Sequence, residues 1–454
     1  MTSSTTKRAW EYLCSENAYK LQKDGTFHWV DNESDTGLLK DADALNTLIE
    51  PFLLASSFFV DPPMKAEELY QRAANVLKIR GSLVSEKDDL TKKKSDGLGY
   101  RGFSAAPYPY VDIPVDYVDS AATLLNLICN IVDLASVTKR SIPGDLMELM
   151  RGTATSASEF LDESCVVDDN GARWAGINKR SDRDPPQKYA NLFFTHIASL
   201  ALQRVLGTQV ARRWIDESLC KRAEEKLQMV PLWVEHQYDD AIKAFWMDEI
   251  RRNNIPVSAV YALEIVYHIG RRPEDPLREY CQEALSTVLA KMKTPRDAST
   301  LQIDTFHILP NPTGGGTIFY DDRKYIGSFL SLLSLIKVKD PDMVNEEFIG
   351  AGEMLFRAVS TEWRDDPTGL WDDGRPLICY TYDALKGLIQ YSLEGAVGTI
   401  SLRENDLRDA IRAALDSTDI GDIIWRKIRE KHLSLQDKEF QEKFTEKSAV
   451  SASK

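Results

Sequence analysis

The chain has few cysteines and no long apolar run, and these two absences exclude several classes of protein. Its six cysteines lie far apart and none forms a Cys-x-x-Cys pair, which excludes a disulfide framework and a four-cysteine zinc site. Scattered free thiols are typical of a reducing compartment, so we expect a cytoplasmic protein. No stretch reaches the roughly 20 uninterrupted apolar residues of a membrane span. The first residues also lack the apolar segment of a signal peptide.

Positive charge is the next scarcity. Lysine and arginine number 56 against 70 aspartates and glutamates, which gives a formal net charge of -14. Nucleic-acid binding requires clustered basic side chains, and the basic runs here, such as Lys92–Lys94, are short. We therefore expect no nucleic-acid partner.

No stretch alternates apolar and polar residues with a period of two for long enough to form a sheet. Apolar residues instead recur with the spacing of one helix face. Nearly apolar helices, which must be buried on all sides, alternate with amphipathic, charged ones. The apolar helices are predicted at about 40–57, 116–135, 189–206, 256–269, 324–337 and 379–393. The amphipathic helices are predicted at about 5–22, 63–79, 143–163, 209–229, 275–293 and 343–361. The sequence thus indicates an all-α protein.

This alternation yields about six hairpins, each with one outer and one inner helix. Six such hairpins close naturally into an (α/α)6 toroid, a ring of inner helices wrapped by outer ones. An open solenoid is the alternative, but it requires polar capping repeats at its ends, and none is evident. We expect one toroid domain over residues 1–433 and a polar, disordered tail over 434–454.

A weak repeat supports the hairpins. About every 68 residues a short loop with glycine and an aromatic residue leads into an inner helix. Clear copies are Gly25–Trp29, Asn170–Gly176 and Gly369–Gly374. Long loops are expected at about 81–114, 164–188 and 294–322, all at the same end of the ring because each precedes an inner helix.

The loop–helix unit resembles the α/α toroid of protein prenyltransferases and terpenoid cyclases, in which a Gly-x-Trp-like loop precedes each inner helix. The transferases bind zinc through Asp, Cys and His. Here the resemblance places Asp321, Arg323 and Tyr380 at those positions, which do not form a zinc site. The acid motif of the cyclases is approached only by Asp116–Ala121, where Val118 stands in place of the proton donor. We expect no metal and no cofactor.

Pairs of aspartates and several aromatics concentrate in the same loops. Paired carboxylates beside Trp174 and Trp371 are compatible with glycoside chemistry, and a similar six-hairpin ring carries glycosidases. Aspartate beside glycine, asparagine or proline equally forms turns and helix caps. The weak catalytic candidates are Asp116, Asp119, Asp372 and Asp373. The binding candidates are Trp29, Tyr110, Trp174, Tyr320, Asp321, Asp322, Trp371 and Tyr380.

The missing zinc and acid motifs favour a non-catalytic protein that binds a partner through this loop rim and a central cleft. The acidic rim suits a protein with a basic surface, and the aromatics suit a small apolar ligand. Two alternatives stay open: an isoprenoid-type enzyme with degenerate motifs, and a carbohydrate-active toroid.

Overall fold

A computed structural model describes most of the chain and consists mainly of α-helices. The described residues are 3–23, 25–30, 38–54, 62–91, 118–175, 192–245, 255–269, 276–292, 307–310, 317–320, 324–361, 368–370 and 378–397. The helices are α1 (Ser3–Cys14), α2 (Leu38–Leu54), α3 (Ala66–Thr91), α4 (Val118–Thr138), α5 (Gly144–Ser164), α6 (Leu192–Gly207), α7 (Gln209–Arg212), α8 (Glu217–His236), α9 (Ile255–Ile269), α10 (Leu277–Met292), α11 (Lys324–Lys339), α12 (Glu346–Thr361) and α13 (Ile378–Val397).

Six of these helices form a closed inner ring. Each packs against the next in the order α2, α4, α6, α9, α11 and α13, and α13 returns to pack against α2. A hydrogen bond from the Tyr382 hydroxyl to Glu50 Oε2, 2.6 Å long, joins the first and last inner helices across 332 residues of sequence. The ring is therefore closed, and an open solenoid is excluded.

The remaining long helices, α1, α3, α5, α8, α10 and α12, pack on the outside of this ring. Each precedes its inner partner in the chain, so the described elements form six outer–inner hairpins. The prediction of an all-α (α/α)6 toroid is confirmed. The assignment of residues 1–433 to one domain stays a prediction, and the predicted tail at 434–454 lies outside the described residues.

Inner helices are apolar because neighbours surround them. In α4, which runs between α2 and α6 with α5 behind it, 13 of 21 residues are buried. Within the described chain, α4 is the one helix with the length and apolarity needed to cross a membrane. A buried core helix has the same composition, so the expectation of no membrane span stays a prediction.

Short antiparallel hairpins precede four of the inner helices. The strands are β1 (Tyr19–Leu21), β2 (Phe27–Trp29), β3 (Cys165–Asp168), β4 (Gly171–Trp174), β5 (Tyr238–Asp239), β6 (Ala244–Phe245), β7 (His307–Pro310) and β8 (Thr317–Tyr320). Three of these hairpins coincide with glycine–aromatic loops of the sequence, whereas the β5–β6 hairpin contains no glycine. They are too short to give a period-two signal, which is why the sequence predicted only loops there.

Two of the hairpins are fixed to their helices in the same way. The indole nitrogen of Trp29 donates to Leu13 O of the preceding outer helix at 2.9 Å, and its backbone nitrogen donates to Asp41 Oδ1 of α2 at 2.8 Å. Trp174 repeats both bonds, to Leu161 O at 2.7 Å and to Thr195 Oγ1 at 3.1 Å. Each buried tryptophan therefore joins an outer helix, a hairpin and an inner helix; we refer to these places as joints.

A third hairpin has a related joint, since the Ser258 hydroxyl of α9 donates to Phe245 O at 2.5 Å. The turn glycine of the second hairpin is required by its surroundings. Gly171 has a φ of +113°, and a side chain there would lie 2.5 Å from Met229 O and 2.6 Å from Trp233 N of α8. Glycine lets this turn approach the outer helix closely.

Several predicted boundaries were wrong. The first outer helix ends at Cys14 rather than near residue 22, because β1 begins at Tyr19. Helix α3 continues to Thr91, into the stretch predicted as a loop at 81–114. Its charged residues, with neither Pro nor Gly after Gly81, are compatible with a solvated helix.

Candidate functional site

The inner helices enclose a central cavity of about 670 Å³. All six inner helices contribute to its lining, which mixes carboxylates, histidines, amides and aromatic rings. The charged lining residues are Asp43, Glu50, Asp119, Asp133, Arg204, Glu264, Asp383 and Lys386. Cavities of this volume are typical of small-molecule sites, so this is the candidate functional site.

A cluster of charges crosses the middle of the cavity. Lys386 Nζ lies 3.1 Å from Glu50 Oε1, and Arg204 Nη1 lies 3.2 Å from Glu50 Oε2. Tyr382 donates its hydroxyl to the same Oε2. These four side chains, from α2, α6 and α13, are called the central ion cluster below.

The cluster keeps its charges at neutral pH. Burial alone would raise the pKa of Glu50, but the charges of Lys386 and Arg204 outweigh it and hold this pKa well below its usual range. Burial tends to lower the pKa of Lys386, yet Glu50 and Glu264 raise it above its ordinary value. Glu50 therefore stays a carboxylate between two permanent cations.

Amide side chains extend the cluster toward α4. Asn130 donates to Asn46 Oδ1 at 2.8 Å, and Asn46 donates to Thr123 O at 3.2 Å. Arg204 donates to Asn130 Oδ1 and lies 3.6 Å from Asp133 Oδ2. The cluster thus ties α2, α4, α6 and α13 together, and part of its role is to hold the ring closed.

An imidazole–carboxylate pair lies on the adjoining wall. His196 Nε2 of α6 is 2.6 Å from Glu264 Oε2 of α9. Burial would raise the pKa of Glu264, but the nearby His196 outweighs it and the pKa is lowered, so the carboxylate is ionised. The His196 ring lies 5.0 Å from the Tyr261 ring, which is itself 5.5 Å from Phe193. An acid–base pair therefore adjoins an aromatic wall.

A second histidine, His268, lines the same wall and is neutral. Burial lowers the pKa of His268 to about 4, so its ring is neutral at neutral pH. Its backbone oxygen accepts a hydrogen bond from Gln203 at 2.6 Å. His268 therefore adds no charge to the cavity under physiological conditions.

Several polar atoms of the lining are buried without a hydrogen-bond partner among the described residues. They are Ser331 Oγ of α11, His196 Nδ1 of α6 and Gln390 Oε1 of α13. Ser331 is only 7% exposed. Buried polar atoms are nearly always hydrogen-bonded, and the exceptions often belong to sites that bind something. These three come from three inner helices and line one cavity.

Acidic side chains mark the end of the cavity where α2 and α4 begin. Asp43 precedes Glu50 by seven residues on α2, which separates them by about 10 Å along the helix axis. Asp119 lies in the first turn of α4, where Thr123 donates to its Oδ1 at 3.4 Å. This end of the cavity is therefore acidic.

The structure places the residues predicted from the sequence in different parts of the molecule. Asp119 lines the cavity. Trp29 and Trp174, predicted as binding residues, are 0% exposed and belong to the joints. That prediction was wrong, because both indoles are enclosed in the core and their nitrogens bond to helix carbonyls.

Other predicted residues stay untested. Tyr320 belongs to β8 and Tyr380 to the first turn of α13, and the structure describes only their backbones. The remaining candidates lie outside the described residues: Tyr110, Asp116, Asp321, Asp322, Trp371, Asp372 and Asp373.

Most residues of the cavity were not predicted, because the sequence-based candidates lie mainly in loops and the cavity is lined by helices. The signal was present, since a charged residue in a helix that is otherwise apolar must have a special partner. Glu264 of α9 is the clearest case, and Glu50 lies in the apolar second half of α2. Their partners come from other helices, and no sequence pattern shows which ones.

Solved structures share the fold of this chain, but no known sequence family matches it. No protein-family model and no curated protein sequence matches the chain. A family 76 α-mannanase from Bacteroides thetaiotaomicron has a similar structure, with a TM-score of 0.50 and 12% identity over 86% of this chain and 95% of that one. The alignment shows a shared α/α toroid fold.

Two further structures are similar at a lower level. Cellobiose 2-epimerase from Bacillus thermoamylovorans gives a TM-score of 0.47 and 11% identity over 84% of this chain and 95% of that one. An unsaturated glucuronyl hydrolase specific for heparin gives 0.47 and 10% over 86% and 96%. The α/α toroid fold is confirmed, and the described structures of similar fold are not prenyltransferases or terpenoid cyclases.

Proposed function

We propose that this protein binds a carbohydrate in its central cavity and acts on it by acid–base chemistry. The observation that carries the proposal is a set of buried polar atoms in the lining that have no hydrogen-bond partner among the described residues: Ser331 Oγ, His196 Nδ1 and Gln390 Oε1. A sugar offers many hydroxyl groups, each a donor and an acceptor, and so matches such a lining.

The size and the walls of the cavity also fit a sugar. A volume of about 670 Å³ accommodates a ligand of a few rings. Phe193 and Tyr261 provide an apolar wall against which the C–H face of a sugar ring can pack. The carboxylates of the lining accept hydrogen bonds from hydroxyl groups. An isoprenoid chain fits less well, because it would displace water from this polar lining without offering hydrogen bonds to it.

The chemistry required is present on the wall. A carboxylate held against one nitrogen of an imidazole orients the ring, and an oriented imidazole can transfer protons. His196 and Glu264 have this relation, with 2.6 Å between Nε2 and Oε2. The aspartates of the lining are further acid–base candidates.

The similar fold adds support of a weaker kind. The family 76 enzyme is an α-mannanase, but one fold carries many functions, so this likeness raises the expectation without assigning a substrate. The proposal departs from the sequence-based expectation of a non-catalytic partner protein. That expectation stays a prediction, and two of its binding residues belong to the joints.

Isothermal titration calorimetry with α-1,6-mannotriose and cellobiose tests the binding, and chromatography of the same mixtures tests for altered sugars. We expect binding to wild type, and at least tenfold weaker binding to Glu264→Gln, which removes one lining charge. The matched control is Glu225→Gln, on an exposed position of outer helix α8. Failure of every sugar to bind, with the folded protein intact, would contradict the proposal.

A further inference from the structure

The central cavity is long and narrow. Along α6 its lining runs from Phe193, the second residue of that helix, to Gly207, its last residue. This stretch spans about 21 Å of helix axis, because an α-helix rises 1.5 Å per residue. A volume of about 670 Å³ distributed over such a length leaves room for a slender ligand that lies along the axis of the ring.

The central ion cluster crosses this cavity. Arg204 of α6 reaches Glu50 of α2, although α4 stands between these two helices in the ring. Lys386 of α13 meets the same carboxylate from the other side. Glu50 and Arg204 lie about 18 Å along the axis from the first residues of their helices, and Lys386 lies about 12 Å from the start of α13. The cluster therefore interrupts the cavity about 12–18 Å below the helix starts.

Further polar contacts between inner helices brace the cluster at this depth. Asn130 of α4 donates to Asn46 of α2 and accepts a hydrogen bond from Arg204. Gln203 of α6 donates to His268 O of α9 at 2.6 Å. A ligand could pass this level only by separating buried charges, and breaking a buried ion pair is costly. The cluster thus acts as a barrier to a chain that runs along the axis.

A buried hydroxyl lies above this barrier and well inside the ring. Ser331 Oγ lines the cavity about 10 Å along the axis from the first residue of α11. Ser331 is only 7% exposed, and its hydroxyl forms no hydrogen bond with any described residue. A ligand that lay across the helix starts would not reach it. A ligand that satisfies this hydroxyl therefore has to enter the cavity lengthwise.

We infer that the central cavity receives one end of a linear oligosaccharide, which enters lengthwise and stops above the central ion cluster with its terminal ring at Ser331. This inference rests on the proposed function, because it assumes that a sugar occupies the cavity. It adds the form of the substrate: the protein recognises the ends of sugar chains and not their internal segments.

Sugars with one end blocked test the inference by calorimetry on the full chain at neutral pH. Whichever of α-1,6-mannotriose and cellobiose binds is compared with two derivatives, which carry a bulky aromatic cap on the reducing end or on the non-reducing end. One derivative should bind within about threefold of the uncapped sugar, because its cap lies on the open side of the cavity. The other should bind at least about tenfold more weakly, because its cap would meet the ion cluster.

A variant tests the depth of entry independently. Ser331→Leu should weaken binding of the uncapped sugar at least about tenfold, because the larger side chain fills the place of the terminal ring. Ser136→Leu, the same change at an exposed position of α4, should leave binding unchanged. Circular dichroism and thermal unfolding would verify that both variants are folded.

The outcomes separate the two proposals. Equal binding of both capped derivatives, or wild-type affinity in Ser331→Leu, would overturn recognition of a chain end and leave carbohydrate binding in place. Rejection of both derivatives would also overturn it, because the cavity would then enclose the whole sugar. Failure of both uncapped sugars to bind would overturn both the inference and the proposed function.

Discussion

The joints and the central cavity differ in how their polar groups are satisfied. At the joints, the backbone and indole nitrogens of Trp29 and Trp174 all have partners within 3.1 Å. In the cavity, Ser331 and Gln390 keep buried polar atoms without a partner among the described residues. The same outer–inner hairpin therefore builds both kinds of environment. The joints hold the fold together, and the central cavity is where we propose that a ligand binds.

Charged groups show a similar division between the centre and the surface. The Glu50 side chain is 8% exposed and lies between two cations. Glu283, on the outer helix α10, pairs with Lys243, and its side chain is 37% exposed. Removing one member of a buried ion pair costs far more than removing one member of an exposed pair. The difference gives matched pairs of variants for each region.

The largest effect is expected at a joint. Trp174→Ala should lower the free energy of unfolding by about 3–5 kcal/mol, because it leaves a large cavity and removes the indole hydrogen bond. Urea unfolding followed by circular dichroism measures this. Val167→Ala, in the same hairpin but 44% exposed, should cost no more than about 0.5 kcal/mol. Equal losses in the two variants would show that the hairpin is not fixed through its tryptophan.

The central ion cluster should give the next largest effect. Glu50→Gln should cost about 3 kcal/mol, because it leaves Arg204 and Lys386 buried without their carboxylate. Glu283→Gln, the exposed counterpart, should cost at most about 1 kcal/mol. A similar cost for both would contradict the assigned role of Glu50.

The contribution of Glu50 to stability should depend on pH. The pKa of Glu50 is lower in the folded state than its ordinary value of 4.5. Its stabilisation is thus complete above about pH 4.5 and is lost as the pH falls below that value. Unfolding measured between neutral and acidic pH should show a steeper loss of stability in wild type than in Glu50→Gln. Parallel curves would argue against the lowered pKa.

Two glycines sharpen the comparison between inner and outer helices. A side chain at Gly327 of α11 would clash with the backbone of Asp383 in α13, whereas nothing lies within 4 Å of one at Gly350 of outer helix α12. Gly327→Ala should cost about 1–3 kcal/mol by forcing two inner helices apart. Gly350→Ala should instead stabilise by up to about 1 kcal/mol. Thermal unfolding of both variants would show whether the signs are opposite.

The smallest stability effect compares two buried serines directly. Ser258→Ala removes a joint hydroxyl bonded to Phe245 O and should cost about 1 kcal/mol. Ser331→Ala removes a cavity hydroxyl that has no partner among the described residues, so it should change stability by less than about 0.5 kcal/mol while it weakens sugar binding. A larger stability loss for Ser331→Ala would mean that this hydroxyl is part of the fold.

The sequence predicted the toroid well because its evidence is local. Apolar and amphipathic helices alternate along the chain, and Gly–aromatic loops precede several of the inner helices. The site was harder, because it depends on pairs such as Tyr382 and Glu50, which are 332 residues apart. Two aromatic residues also gave a wrong prediction of binding: Trp29 and Trp174 stand out in the sequence, but both are buried in the joints.

A crystal structure of the protein soaked with α-1,6-mannotriose tests the central claim, a sugar in the central cavity, most directly. The account predicts electron density for the sugar between the inner helices, within hydrogen-bond distance of Ser331 Oγ and close to the aromatic wall of Phe193 and Tyr261. Density only in an outer groove, such as the one lined by Tyr280 and Glu283, or an unoccupied central cavity at saturating sugar, would contradict it.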